Sequence, residues 1–176
     1  MPLEEKGSSH RKIIKNICFR EGDMLELPLP VDNTTAVLRF SNKNVSSILD
    51  IKNIEAYSDI PCTIHLNNVK KIPNLVDFSM FKKLSWLYVI NCGLESLEGL
   101  ENVKSIHIGI TNNGLELADN IQHVEALWNA RGRKQRNAGY MTIDGNTIMG
   151  KNVLKYNSMT LAKTVYYIKE WIGRRS

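Results

Sequence analysis

The chain has 176 residues, 43% hydrophobic and 23% charged, with a net charge of +5 and a pI near 9.1. That length suits one domain with a real core and leaves two crowded, while the mild positive charge permits nucleic-acid or acidic protein partners without demanding either. The longest apolar runs, such as Tyr88-Val89-Ile90, are far too short for a membrane-spanning helix.

At the N-terminus, "MPLEEKGSSHRKIIKN" carries acids first and no apolar h-region, so it does not read as a secretory signal and a cytoplasmic protein is expected. The stretch "RKIIKNICFREGDMLELPLP" reads as two β-rich runs around Glu21-Gly22-Asp23, predicting a hairpin or cap over 1–33 that Pro28 and Pro30 terminate. Cys18, Cys62 and Cys92 have neither an even count nor a CxxC spacing, which argues for reduced thiols rather than disulfides or a zinc knuckle.

From residue 34 onward a rhythm recurs. In "LSWLYVINCGLESLEGL" the positions Leu84, Leu87, Val89, Cys92, Leu94, Leu97 and Leu100 advance by threes and twos, which neither a helix nor a strand alone produces. The L-x-L part is a short strand with alternate side chains pointing inward. In the leucine-rich repeat pattern that this stretch resembles, the following Asn or Cys sits inside a turn and caps backbone groups of a neighbouring coil. Other copies place Leu38, Phe40, Val45 and Ile48 on the grid with Lys43 as a misfit, then Cys62, Ile64, Asn67, Val69, Ile72 and Leu75. Further copies use Val103, Ile106, Ile108 and Thr111, and lastly Ala138, Met141, Ile143, Asn146 and Ile148. The last grid place advances 24 residues from Val45 to Val69, 25 to Leu94, 19 to Asn113 and 35 to Ile148, the final step implying an insertion.

Over roughly 34–150 this pattern resembles the leucine-rich repeat superfamily in irregular, degenerate form. The resemblance implies an α/β fold: a short leucine-rich-repeat-like solenoid with a β-rich N-terminal cap and a C-terminal capping helix, all in one domain. Proteins of this superfamily commonly bind partners, which implies an adaptor, inhibitor or effector.

In the long gap, Leu117, Ile121, Val124 and Leu127 or Trp128 fall at helical spacing, so a helical insertion is predicted near 115–130 after an Asn113-Gly114 turn. It runs into the basic loop Arg131, Arg133, Lys134 and Arg136. The last segment, 151–176, reads as a helical cap, with Ser158 or Thr160 at its start, Leu161, Val165, Ile168 and Ile172 along one face, and Gly173 at its end.

If the coils stack, the residues between the inward places line a shallow concave sheet. The expected partner-binding set is Arg39, Trp86, Tyr88, Ile90, His107 and Tyr140, an aromatic and apolar cluster of the kind enriched at protein interfaces. The basic loop offers an alternative contact, to nucleic acid or equally to an acidic protein surface, or is simply a solvated loop. A hydrolase-type enzyme has less to stand on. It needs His65, His107 and Asp144 to converge, and the four histidines lack HxH, HExxH or HxxxH spacing. "DGNTIMGKN" lacks a phosphate-loop pattern, and no cofactor or metal is expected. The primary expectation is a non-enzymatic module for a protein partner.

Overall fold

The computed structural model describes residues 13–20, 22, 24–32, 34–70, 72–132, 139–153 and 158–174. The fold is mixed α/β, built on one seven-stranded sheet in the order β1-β2-β3-β4-β5-β6-β9. The strands are β1 (Ile13–Phe19), β2 (Thr34–Ser41), β3 (Cys62–Asn67), β4 (Leu84–Ile90), β5 (His107–Thr111), β6 (Tyr140–Thr142) and β9 (Met159–Thr160). The first six run parallel in sequence order, and β9 closes the far edge antiparallel to β6. A two-stranded hairpin, β7 (Thr147–Ile148) with β8 (Lys151–Asn152), stands beside it.

Parallel neighbours in sequence order need a return path between every pair of strands. The returns from β2 to β3, β3 to β4 and β4 to β5 are short and hold little regular structure beyond 3-10 turns, such as Val76–Met80 and Leu100–Asn102. A 3-10 segment has 3.0 residues per turn, so every third side chain shares a side. That suits Phe78 and Leu100, while the other inward residues of the returns lie in the turns and extended backbone around these segments. Ile72, Leu75, Phe78 and Phe81 are all buried, and so are Leu94, Leu97, Leu100 and Val103. Along the strands the step falls to two. Leu38, Ile64, Leu87, Ile108 and Met141 line up in register as one inner row. Phe40, Leu66, Val89 and Ile110 form the next, and none of these nine, nor Ile143 just past β6, is more than 5% exposed.

The register corrects the sequence grid at two strands. Leu87 pairs with Ile64 and Ile108, so the inward pair of β3 is Ile64 and Leu66, and that of β5 is Ile108 and Ile110. Both expected frames were two residues early: Asn67 is exposed on the outer side and Ile106 is 42% exposed. The frames of β2, β4 and β6 stand as expected, and Lys43 is buried at the place normally filled by Asn or Cys. Ala138, the first grid place of the last copy, lies outside the described residues. The N-terminal run is also corrected. β1 makes no hairpin with residues 24–32; it is parallel to β2, with Phe19 stacked on Phe40 at 5.3 Å. Gly22 lies in a turn with φ 87°, while Glu21 and Asp23 lie outside the described residues. The second run adds a bridge from Glu26 to Lys52, extended by Leu27 N–H to Lys52 O and Lys52 N–H to Leu25 O, and buries Leu27 in the core.

Where β2, β3, β4 and β5 end, the chain turns through a left-handed residue: Asn42, Asn68, Asn91 and Asn112, with φ between 51° and 55°. Asparagine tolerates this region better than other side chains. The column is also knit together, since Asn68 Nδ2 donates to Asn42 Oδ1 at 3.1 Å and Asn91 Nδ2 donates to Asn68 Oδ1. Gly145 ends it with φ +71°, and a Cβ there would lie 2.9 Å from Asn112 Cα.

The insertion forms α1 (Ile121–Ala130), shorter than expected because 117–120 is a turn. It packs against the Leu100–Asn102 turn and against the C-terminal helix α2 (Leu161–Gly173). Thr160 caps α2 by accepting from Lys163 N–H at 3.3 Å, and Leu161 and Ile168 are buried.

Candidate functional site

Residues between the inward places project from the opposite side of the sheet, and the register arranges them in rows across the strands. The first outer row runs Asn16, Val37, Thr63, Trp86, His107, Tyr140 and Thr160. The second runs Cys18, Arg39, His65, Tyr88, Gly109 and Thr142. It ends at Ser158, whose Oγ lies 3.1 Å from Thr142 Oγ1. The third holds Ser41, Asn67, Ile90 and Thr111. The expected partner-binding residues thus share one face, in a changed arrangement. His107 does not sit beside Tyr88; it stands between Trp86 and Tyr140.

Those three rings stack across adjacent strands. Trp86 and His107 have centroids 4.1 Å apart, and His107 and Tyr140 are 5.4 Å apart with planes only 9° off parallel. In the second row Tyr88 stacks on His65 at 4.7 Å, and it leans on Trp86 at 5.8 Å. Glycine at position 109 makes this possible: a Cβ there would come within 2.6 Å of Tyr88 Cδ1. A cavity of about 270 Å³ opens beside these rings, lined by Trp86, Tyr88, His107, Ile108, Tyr140, Thr142 and Ser158. Trp86 is 41% and Tyr140 45% exposed, large apolar groups left in water that a core would have taken.

The ionisable groups of the face lean to positive or neutral. Arg39 donates to Asn16 Oδ1 at 2.9 Å. Burial, and then the Arg39 charge, hold His65 below the ordinary imidazole value, and burial does the same for His107. Burial pushes the Tyr88 hydroxyl up. The face is therefore an aromatic strip with one cationic end.

The enzymatic arrangement is not assembled. His65 stands on β3 in the second row and His107 on β5 in the first, with Tyr88 and Trp86 stacked between them. Asp144 lies beyond the end of β6, its carbonyl accepting from Asn112 N–H at 3.0 Å. Cys62 and Cys92 are buried at inward places, and burial pushes the Cys62 thiol up to about 12, which leaves it protonated and unreactive. Among the described residues no cluster of three or more His, Cys, Asp or Glu is placed to hold a metal ion.

The basic loop is corrected at its first residue. Arg131 does not extend into solvent as a phosphate contact. Its guanidinium donates to the carbonyls of Val103, Lys104 and Ser105, at 2.5, 3.2 and 2.6 Å. It closes the end of the Leu100–Asn102 turn, and burial lowers its pKa. Arg133, Lys134 and Arg136 lie outside the described residues.

Sequence reasoning missed the roles of Asn113, Asn120 and Glu116. Asn113 Oδ1 accepts from Cys92 N–H at 2.8 Å while its Nδ2 donates to Val89 O and Thr111 O. Asn120 Oδ1 accepts from Leu97 N–H at 2.7 Å. Glu116 takes the N–H groups of Met149 and Gly150, the turn of the β7–β8 hairpin. Both turn residues have positive φ, 52° and 74°, as a two-residue hairpin turn requires. The signal for Asn113 was the second of two adjacent asparagines. For Glu116 no local pattern existed.

No helix is long and apolar enough to cross a membrane among the described residues. Comparison with family models, curated proteins and solved structures finds no match to the chain.

Proposed function

We propose that the chain is a short, irregular solenoid of the leucine-rich-repeat kind that works as a non-enzymatic adaptor, inhibitor or effector, binding a protein partner through the concave strand face. The repeat part of this reading is supported by the side chains at the Asn/Cys place. Cys92 Sγ donates to Ile90 O at 3.2 Å, and Asn113 and Asn146 each bond backbone groups of the preceding coil. It is supported also by spacing. From Ile17 the first inner row advances 21 residues to Leu38, 26 to Ile64, 23 to Leu87, 21 to Ile108 and 33 to Met141, close to the repeat range save where α1 intervenes. A cytoplasmic site of action agrees with three free cysteines, two of them buried as thiols.

The observation that carries the binding role is the exposed row Trp86–His107–Tyr140. A rigid parallel sheet holds these rings in place before a partner arrives, so little side-chain freedom is lost on docking. Arg39 and Ile90 flank them on the same face. The test is affinity capture from the native host with the unaltered chain and with Trp86→Ala/Tyr140→Ala, followed by binding of the identified partner in purified form. The reading expects the purified partner to bind the unaltered chain at least tenfold more tightly. Equal affinity for both chains overturns it.

A further inference from the structure

The ring geometry limits what this face can recognise. Trp86, His107 and Tyr140 are stacked in a row, which covers both faces of His107 and one face each of Trp86 and Tyr140. Aromatic faces carry the negative part of the ring quadrupole and edges the positive part. His107, covered on both faces, offers no platform for the stacking by which nucleobases bind. Ring edges that meet a partner favour its carboxylate and carbonyl oxygens. The two central outer rows, from Asn16 to Thr160 and from Cys18 to Ser158, contain no carboxylate, and they do contain Arg39. Edge polarity and formal charge agree in sign.

Building on the partner-binding role proposed above, we infer that the occupant is an extended acidic peptide segment, with one large apolar side chain in the cavity bounded by Trp86, Tyr88 and Tyr140 and a carboxylate at Arg39. The spacing is set by the sheet. Arg39 is on β2 and the cavity centres on β5, three strand intervals away, or about 14 Å at roughly 4.8 Å per interval. An extended chain rises about 3.3 Å per residue, so the carboxylate belongs about four residues from the apolar anchor. The segment lies across the strands rather than along them. Its anchor fills a cavity of about 270 Å³, a volume suited to one aromatic or leucine side chain. The polar rim is made by Thr142 and Ser158, whose hydroxyls are 3.1 Å apart.

The test is selection of displayed random dodecapeptides on the full-length protein, scored clone by clone for loss of binding to Trp86→Ala/Tyr140→Ala and to Arg39→Gln. Because Trp86 and Tyr140 are surface groups, the double variant is expected to fold, and an unchanged urea midpoint checks that it does. The expected result is a set of clones that need the aromatic pair, enriched in Asp or Glu three to five positions from a Trp, Phe or Leu, and weakened about tenfold by Arg39→Gln. Face-dependent clones that are basic or uncharged, or that ignore Arg39→Gln, overturn the acidic-peptide inference and leave the partner-binding role standing. A set in which no clone depends on the aromatic pair overturns both. A single-stranded oligonucleotide that displaces the selected peptides and loses affinity with Trp86→Ala/Tyr140→Ala also overturns the inference in favour of nucleic acid.

Discussion

Asn146 and Leu115 are joined across two successive coils: the Asn146 amide oxygen accepts the Leu115 backbone N–H at 3.2 Å. The same side chain donates to Ile110 O at 2.7 Å and to Ile143 O at 2.9 Å, and it is wholly buried. One carboxamide thus satisfies three backbone groups that water cannot reach. Removing it leaves each of them to bear a desolvation cost of about 1–3 kcal/mol, only part of which relaxation recovers. Asn146→Ala is therefore expected to lower stability by about 3 kcal/mol in urea unfolding. Asn68→Gly, in the asparagine column, is expected to cost no more than about 1 kcal/mol, because glycine accepts the left-handed φ of 54° and water replaces the side-chain bonds. Equal costs at the two sites contradict this difference in water access.

Glu116 gives the fold an acid-sensitive joint. Burial alone raises its carboxyl pKa, but the N–H groups of Gly150, Ala118 and Met149 and the Thr147 hydroxyl favour the ionised form and hold it below the ordinary value of 4.5. The folded state then binds fewer protons than the unfolded chain in that region, so stability rises with pH there. The contribution is full above 4.5 and is lost as pH falls through the lower folded value. Urea midpoints measured down through this range are expected to fall less steeply for Glu116→Gln than for the unaltered chain. The carboxamide of Glu116→Gln keeps one acceptor oxygen, so the variant also shows how much of the β7–β8 turn depends on charge.

These two sites differ in how far the sequence announced them, and so do the strands. The frame at Leu84–Leu94 was legible because only one placement of Leu87, Val89 and Cys92 fits the template. At "CTIHLN" and "SIHIGIT" three apolar residues alternate, so a slip of two leaves the inward face inward and no periodicity argument detects it. What settles the frame is the pairing with β4 and the left-handed asparagine after each strand, both properties of the stack. The slip had a cost at the site, for it put His107 in Tyr88's row instead of between Trp86 and Tyr140. The C-terminal helix was legible, with its apolar face and its end at Gly173, because those signals are local. Its start was left between Ser158 and Thr160, and the short strands at Lys151–Asn152 and Met159–Thr160 within the expected helical cap were not foreseen. The parallel pairing of β1 was not, since its partner strand begins 21 residues later in register.

Acid also reaches the outer face. His65 and His107 both titrate below 6.5 in the folded chain, the first through burial and Arg39 and the second through burial. Between 6.5 and those lower values the unfolded chain binds more protons than the folded one, so stability decreases as pH drops through that window. His65→Gln/His107→Gln is expected to flatten the slope there while leaving the Glu116 region, at lower pH, unchanged. Titration of the imidazole Cε1 protons by NMR checks the premise directly. Midpoints at or above 6.5 for both rings contradict it.

Gly109→Ala isolates the shape of the cavity from its chemistry. The new methyl carbon falls 2.6 Å from Tyr88 Cδ1, and since His65 covers the other side of that ring, Tyr88 has to rotate outward. No backbone atom is among the three nearest neighbours of the added carbon, so the expected loss of stability is about 1–3 kcal/mol, the usual range for overpacking. Gly145→Ala is expected to cost more, because it adds a left-handed φ to a clash with Asn112 Cα. Displacement of Tyr88 unstacks it from His65, which NMR reads as a change in ring-current shift at the His65 imidazole protons. Binding of any peptide that needs the cavity is expected to fall at least tenfold in Gly109→Ala, although no atom of Trp86, His107 or Tyr140 has been altered. If affinity persists while the His65 shift changes, Tyr88 is no wall of the binding cavity, and the Trp86–His107–Tyr140 row alone makes the contact.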